Sequence, residues 1–80
     1  MILVTEREID FLNLGLTEKQ SEIAAHVTYG ESNQEIANKL KLAEQTVKFH
    51  LTNIYKKLGI KNRAELVQVF MKMKGWTNER

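Results

Sequence analysis

The fold is decided by residues 32–60, which read SNQEIANKLKLAEQTVKFHLTNIYKKLGI. Ser32 precedes Glu35 by three residues, which is the spacing of a helix capping box, and an apolar-periodic stretch then runs to residue 40. Residues 41–43 form a three-residue connection to a longer apolar-periodic stretch, 44–58, which Gly59 closes as a left-handed residue. A short helix, a tight turn and a longer helix are typical of a helix-turn-helix.

The same signals extend outward from this stretch in both directions. Capping pairs recur at Thr5 and Glu8, at Thr17 and Gln20, and at Asn62 and Glu65. Every apolar-periodic stretch except the one that leads into the tight turn ends at a glycine. No segment shows the strict alternation of apolar and polar residues that is typical of a strand. The chain is therefore predicted to be all-α. Five helices are expected, near residues 6–14, 18–29, 33–40, 44–58 and 62–74.

The longer helix of the motif has two opposed faces. At about 100° per residue, the apolar side chains form one narrow stripe, predicted to be buried: Val47, Leu51, Ile54 and Leu58. The opposite face carries two lysines, a hydroxyl, an amide and an aromatic ring: Lys48, Thr52, Gln45, Lys56 and Phe49. Lysine can donate to guanine, and threonine and phenylalanine can contact a thymine methyl group. This face is suited to contact with a DNA groove, although an exposed or partner-covered Phe49 stays an alternative.

Candidate phosphate contacts lie at helix ends. Lys56 and Lys57 are near the end of the motif's second helix, and a further group surrounds the start of the last helix: Lys61, Asn62 and Arg63. Free backbone N–H groups and the positive helix end would meet a phosphate there. Asn33 and Gln34 occupy the equivalent place at the start of the motif's first helix.

The charge is strongly divided along the chain. Residues 1–36 hold seven acids and two bases, a net −5, whereas residues 37–80 hold ten bases and three acids, a net +7. A basic half of this size in a small domain favours a polyanionic partner such as nucleic acid, with a solvated basic surface as the alternative.

Composition excludes several classes of protein. The chain has no cysteine and two histidines, His26 and His50, with no companions for a catalytic or zinc site. We therefore expect no enzyme activity, no metal and no cofactor. Neither a signal peptide nor a stretch of transmembrane length is present, so a soluble, cytoplasmic protein without a membrane partner is expected.

The spacing of particular residues resembles the LuxR/FixJ-type (GerE-like) DNA-binding domain from Leu16 to about Leu66. The matching segments are Leu16-Thr17, then residues 30–37, Leu40, residues 46–50, and residues 53–60 with Arg63. The resemblance implies a four-helix domain at 16–76, preceded by an extra helix at 1–15 and followed by a tail at 77–80.

The resemblance also implies roles for individual residues. Base reading falls on Lys48, Phe49 and Thr52, and phosphate contacts fall around Asn33, Thr46, Lys56, Lys57 and Lys61, to which we add Gln45 on the outer face. The implied activity is sequence-specific binding of double-stranded DNA by a transcriptional regulator. The family's last helix commonly forms a dimer. Independently of the resemblance, the last helix here is apolar on more than one side, which assigns Val67, Phe70, Met71, Met73 and Trp76 to a homodimer interface.

Two positions depart from the family's pattern. Gln20 replaces the usual acid after Leu-Thr but can still close a capping box. Ala43 stands where a serine usually caps the recognition helix, and Glu44 compensates in part through the helix dipole.

The two terminal helices leave alternatives open. The last helix is apolar on more than one side, so an adaptor that binds another protein, such as a regulatory protein, is the alternative function. Trp76 is expected either to cover the apolar surface of the last helix at a dimer interface or to lie on its own subunit. The first helix carries Ile9, Phe11, Leu12 and Leu14. It is expected to pack on the core, the alternative being a docking or dimer element.

Overall fold

The computed structural model describes residues 4–76. Within this range the chain forms five α-helices and no strand, which confirms the predicted all-α class. The extreme residues 1–3 and 77–80, including the predicted tail, lie outside the described range. The helices are α1 (Glu6–Asn13), α2 (Glu18–Thr28), α3 (Asn33–Leu40), α4 (Glu44–Leu58) and α5 (Arg63–Lys74).

The helix starts follow the capping pattern of the sequence. Thr5, Thr17 and Ser32 each accept a hydrogen bond from the backbone N–H three residues on, and the acid or amide there accepts one in return. The N-cap residue Ala43 has no side-chain hydrogen bond to α4, as expected. Three predicted bounds shift by one residue, because Leu14 and Tyr29 are C-caps and Asn62 is an N-cap.

The turn between α3 and α4 contains an unexpected conformation. All four glycines have positive φ, as the pattern predicted, but so does Lys41 at φ 59° and ψ 45°. A side chain in the left-handed region crowds its own backbone and costs roughly 1–2 kcal/mol. The three-residue turn of the motif therefore depends on a residue held in an unfavourable conformation by the two helices around it.

All five helices contribute to one hydrophobic core. Phe11 of α1 and Phe70 of α5 are almost fully buried, and their rings stack with centroids 5.8 Å apart. The expectation that the first helix packs on the core is confirmed, because Phe11 lies in this shared cluster. The rest of the cluster comprises Leu16, Ile23, Ala24, Val27, Ile36, Ala37, Val47, Leu51, Ile54 and Leu66.

Two cations fasten α1 to its neighbours. The Arg7 guanidinium donates to the carbonyl and hydroxyl oxygens of Thr28 at 3.3 and 3.0 Å, and lies 4.4 Å from the ring centroid of Tyr29 and 4.8 Å from that of Phe70. On α5, the Lys74 ammonium lies 2.7 Å from Asp10 Oδ2, and the interaction with this carboxylate raises the lysine's pKa. The first helix is thus tied to both α2 and α5.

Candidate nucleic-acid interface

Helix α4 presents its two predicted faces as expected. Val47, Leu51 and Ile54 are buried at 0–4% exposure, while Leu58 is half-buried against the core. The side chains of the outer face are all exposed, which leaves one side of the helix free to enter a groove: Gln45, Lys48, Phe49, Thr52 and Lys56.

Two members of the outer face have defined surroundings. Phe49 is 64% exposed, more than any other large apolar side chain in the described residues, and its ring meets the edge of His50 at 5.9 Å. The Thr52 hydroxyl donates to the Lys48 carbonyl at 3.1 Å. This bond consumes the hydroxyl's one proton, so Thr52 is left with an acceptor oxygen and a methyl group for any base that it meets.

The predicted phosphate contacts divide into exposed and internally engaged residues. The exposed side chains with hydrogen-bond donors are Gln34, Gln45, Lys56, Lys57 and Lys61. Thr46 is half-buried. The other three, Asn33, Asn62 and Arg63, have hydrogen-bond partners inside the domain. The exposed side chains keep their donors available for an anion, whereas Asn33, Asn62 and Arg63 use polar atoms in hydrogen bonds within the fold.

Arg63 connects the start of α5 to the start of α3. Its Nη1 donates to Asn33 Oδ1 at 2.8 Å, and its Nη2 donates to the Glu31 carbonyl oxygen at 2.5 Å. The guanidinium is half-buried, and two of its donors are consumed by these contacts. Sequence reasoning missed this link, because the partners lie about thirty residues away with no local pattern to pair them.

The start of α5 differs from the expected anion site. The Asn62 side chain accepts from the Glu65 N–H at 3.0 Å, and the Glu65 carboxylate accepts from the Lys61 N–H at 2.7 Å. The expectation of free backbone N–H groups for a phosphate here is therefore wrong at these two donors, because an amide and a carboxylate of the chain already occupy them. Lys61 retains its exposed ammonium group.

A second cluster that sequence reasoning missed surrounds Glu31, between α2 and α3. The carboxylate lies 2.7 Å from His26 Nδ1 and 2.7 Å from the Lys39 ammonium. Burial alone would raise the pKa of Glu31, but hydrogen bonds from Lys39 and His26 outweigh it and hold that pKa below its ordinary value. Since the Glu31 carbonyl receives Arg63, this one residue joins α2, α3 and α5. Lys39, near the end of α3, is thus an ion-pair partner.

The residues predicted at a dimer interface are not all exposed. Val67, Met71 and Met73 are half-buried, whereas Phe70 is only 2% exposed. The assignment of Phe70 to a dimer contact is therefore corrected: its ring is covered within the monomer by Phe11.

Trp76 lies on its own subunit while leaving a large surface open. Its ring meets the edge of Phe70 with centroids 5.6 Å apart, and the side chain is 52% exposed. The other expected placement, in which Trp76 covers the apolar surface of α5 at a dimer interface, stays a prediction, because it needs a partner chain.

Two kinds of feature are absent from residues 4–76. These residues contain no group of three or more His, Cys, Asp or Glu side chains that could hold a metal ion. None of the described helices has the length and apolar character required to cross a membrane.

The motif, its exposed outer face and its spacing agree with a known family. The model of the GerE family, bacterial regulatory proteins of the luxR family, matches residues 14–70. This match covers more than half of the chain, and the chain belongs to that family. The family is one of regulatory proteins.

Relatives with assigned roles are similar over most of this chain. The CsgBAC operon transcriptional regulatory protein of Escherichia coli is 41% identical over 64 residues, 80% of this chain and 26% of the relative. LnrK of Bacillus subtilis, a transcriptional regulatory protein, is 46% identical over 52 residues, 65% of this chain and 24% of its own. NarP of Escherichia coli, a nitrate/nitrite response regulator, is 35% identical over 60 residues, 75% of this chain and 28% of its own. The chain thus spans about a quarter of the length of these relatives.

Proposed function

We propose that this chain is a cytoplasmic transcriptional regulator that binds double-stranded DNA sequence-specifically, with α4 in the major groove. The observation that carries the proposal is the division of α4 into a buried apolar stripe and an exposed face with Lys48, Phe49 and Thr52. The major groove is wide enough for a helix and displays a distinct pattern at each base pair. Regulation of transcription is the role that the names of two of these relatives carry.

The phosphate contacts are proposed to come from the exposed donors around α4. Lys56 and Lys57 extend from its last turn, Lys61 lies just beyond, and Gln34 and Gln45 stand at the starts of α3 and α4. These side chains belong almost entirely to the basic part of the chain, net +7 over residues 37–80. Cations at this density favour association with a polyanion and make it depend on salt.

The chain is further proposed to act as a homodimer through α5. Val67, Met71 and Met73 keep part of their apolar surface in solvent, and Trp76 is half exposed beside them. Methionine adapts well to a partner surface. Two copies would present two α4 helices to a two-fold-related DNA site.

The test is selection of bound duplexes from a random pool, with the stoichiometry of the complex measured by analytical ultracentrifugation. The expected result is one enriched sequence with two-fold symmetry, bound by two chains. Affinity should fall steeply as salt is raised, since phosphate contacts release counterions. The apolar surface of α5 also suits a protein-binding adaptor. A pool without enrichment, together with affinity that is indifferent to salt, would favour that adaptor.

A further inference from the structure

A groove of about 470 Å³ runs between α1 and α2, and we refer to it as the α1–α2 groove. Val4 and Leu12 supply apolar walls from the α1 side, and Val4 is 46% exposed. Helix α2 packs against both α1 and α4. The groove lies on the side of α2 that faces α1, because its lining residues come from these two helices and from Val4 just before α1. Its full lining is Val4, Glu8, Leu12, Glu18, Lys19, Ser21 and Glu22.

The groove is rimmed by carboxylates. Glu8, Glu18 and Glu22 face one lysine, Lys19, whose ammonium lies 2.9 Å from Glu22 Oε1. Glu8 is engaged by the Thr5 backbone N–H at 3.1 Å, a contact that leaves its charge intact. The lining therefore carries three acids and one base around apolar walls, and this charge disfavours DNA as an occupant.

A buried polar group marks the floor. Ser21 has 0% exposure, and its hydroxyl oxygen has no hydrogen-bond partner among residues 4–76. A buried hydroxyl without a partner is unfavourable. With no exposed surface, this hydroxyl lies beneath the groove and out of reach of an occupant, so recognition depends on the apolar walls and the carboxylates.

The wall formed by α1 lies outside the segment that the family model matches. The family match begins at residue 14, after α1 has ended at Asn13. Nevertheless α1 is held rigidly by its capping box at Thr5, by the stack of Phe11 on Phe70, and by the contacts of Arg7. A fixed wall gives the groove a defined shape before any occupant arrives.

We propose that the α1–α2 groove is a docking site for a basic amphipathic segment of a partner protein. Leucine-like side chains of the segment would pack on Val4 and Leu12, and its Lys or Arg side chains would face Glu8, Glu18 and Glu22. Charge complementarity of this kind sets specificity and raises the rate of association. The α1–α2 groove is separate from the outer face of α4, so this proposal does not rest on DNA binding.

The probe is a synthetic peptide of about 14 residues, roughly 21 Å long as a helix, made of Leu and Lys with Leu at helical spacing. The control peptide has the same residues in scrambled order. Binding is measured by fluorescence anisotropy, and the site is mapped by the NMR shifts of backbone amides. Amides of Leu12, Ser21 and Glu22 are expected to move with the patterned peptide and not with the scrambled one.

Variants separate the groove from general attraction between charges. Glu18→Gln combined with Glu22→Gln should weaken the patterned peptide about fivefold, since each exposed charge pair contributes modestly. The matched control is Glu6→Gln combined with Glu44→Gln, which removes two acids outside the groove lining and should leave affinity within about twofold. Val4→Lys, at an exposed position before α1, should also weaken binding without disturbing the core.

Three results would overturn the proposal: no binding of the patterned peptide, equal binding of both peptides, or equal losses in the two double variants. Sedimentation of the free protein tests a further occupant. If the Glu18 and Glu22 substitutions change the oligomeric state, the groove is covered by a second copy, and the proposed partner segment is wrong.

Discussion

Arg63 Nη1 donates to Asn33 Oδ1 at 2.8 Å, so two residues predicted to contact phosphate are also hydrogen-bond partners of each other. The same guanidinium also donates to the Glu31 carbonyl oxygen. This arrangement holds the start of α5 against the start of α3. It assigns Arg63 to the framework of the proposed interface, and leaves the Asn33 NH₂ group available to a phosphate.

Arg63→Ala should destabilise the fold more than it alters electrostatic binding. Removal of two charge-assisted hydrogen bonds from a half-buried site is expected to cost about 1–3 kcal/mol, measured by urea unfolding. The salt dependence of DNA affinity should keep its slope, because no phosphate contact is lost. The comparison is Lys61→Ala, which should leave stability unchanged. It should reduce the slope of log affinity against log salt concentration by about one. Equal changes of slope in the two variants would contradict the framework role.

Lys48→Ala and Lys57→Ala should have different effects on DNA binding. Lys48 lies on the exposed outer face of α4, which is proposed to contact the bases, so its loss should relax sequence preference at one position, by about 1–3 kcal/mol. Lys57, in the last turn, should weaken specific and random duplexes alike. Gel-shift titrations across both kinds of duplex provide the measurement. If the two variants behave identically, the division into base and phosphate contacts is wrong.

Ala43→Ser should stabilise the protein. Ala43 is the N-cap of α4 in extended backbone conformation and provides no side-chain hydrogen bond. A serine hydroxyl there can accept from a backbone N–H of the first turn, worth about 1 kcal/mol, or an increase in the thermal midpoint of roughly 4–8 °C. Thermal denaturation followed by circular dichroism gives the midpoint, and an unchanged or lowered value would count against this helix start.

Lys41→Gly should also stabilise the protein, by about 1 kcal/mol, since glycine adopts a positive φ without the crowding of a Cβ atom. Lys41 has φ 59° in the turn between α3 and α4. Lys39→Gly is the contrasting variant: it places a glycine inside α3 and removes the ion pair with Glu31, so it should destabilise. Urea unfolding distinguishes the two. Destabilisation by Lys41→Gly would show that the lysine side chain is needed in the turn.

The stability of the protein should decline in acid through Glu31. Its folded pKa lies below the ordinary value of 4.5, so the unfolded chain binds more protons in this range. The contribution is complete above 4.5 and is lost as pH falls through the lower, folded value. Glu31→Gln should therefore flatten the dependence of unfolding free energy on pH below 4.5. An identical pH dependence in wild type and Glu31→Gln would refute this role.

Local features of the fold could be predicted from sequence because each depends on neighbours in the chain. The capping box of Ser32 and Glu35, the left-handed Gly59 and the buried stripe of α4 are fixed by spacings of three or four residues. The exposure of Lys48 and Phe49 follows from the same helical period.

Contacts between distant residues could not be predicted in this way. The link from Arg63 to Asn33 joins two helix starts that only the tertiary fold brings together. Phe70 was misassigned because α5 is apolar on several sides, so its periodicity does not say which side the core takes. Its burial depends on Phe11, in a helix whose position the sequence pattern left open.

The stack of Phe11 on Phe70 also limits where this domain can be cut or joined. A chain that started at residue 14, where the family match begins, would lack Phe11 and leave a void beside Phe70. Recombination at that boundary would transplant a domain with a defective core, unless the last helix changed with it. We therefore expect α1 and α5 to be inherited as a pair, and the useful cloning boundary to lie before Thr5.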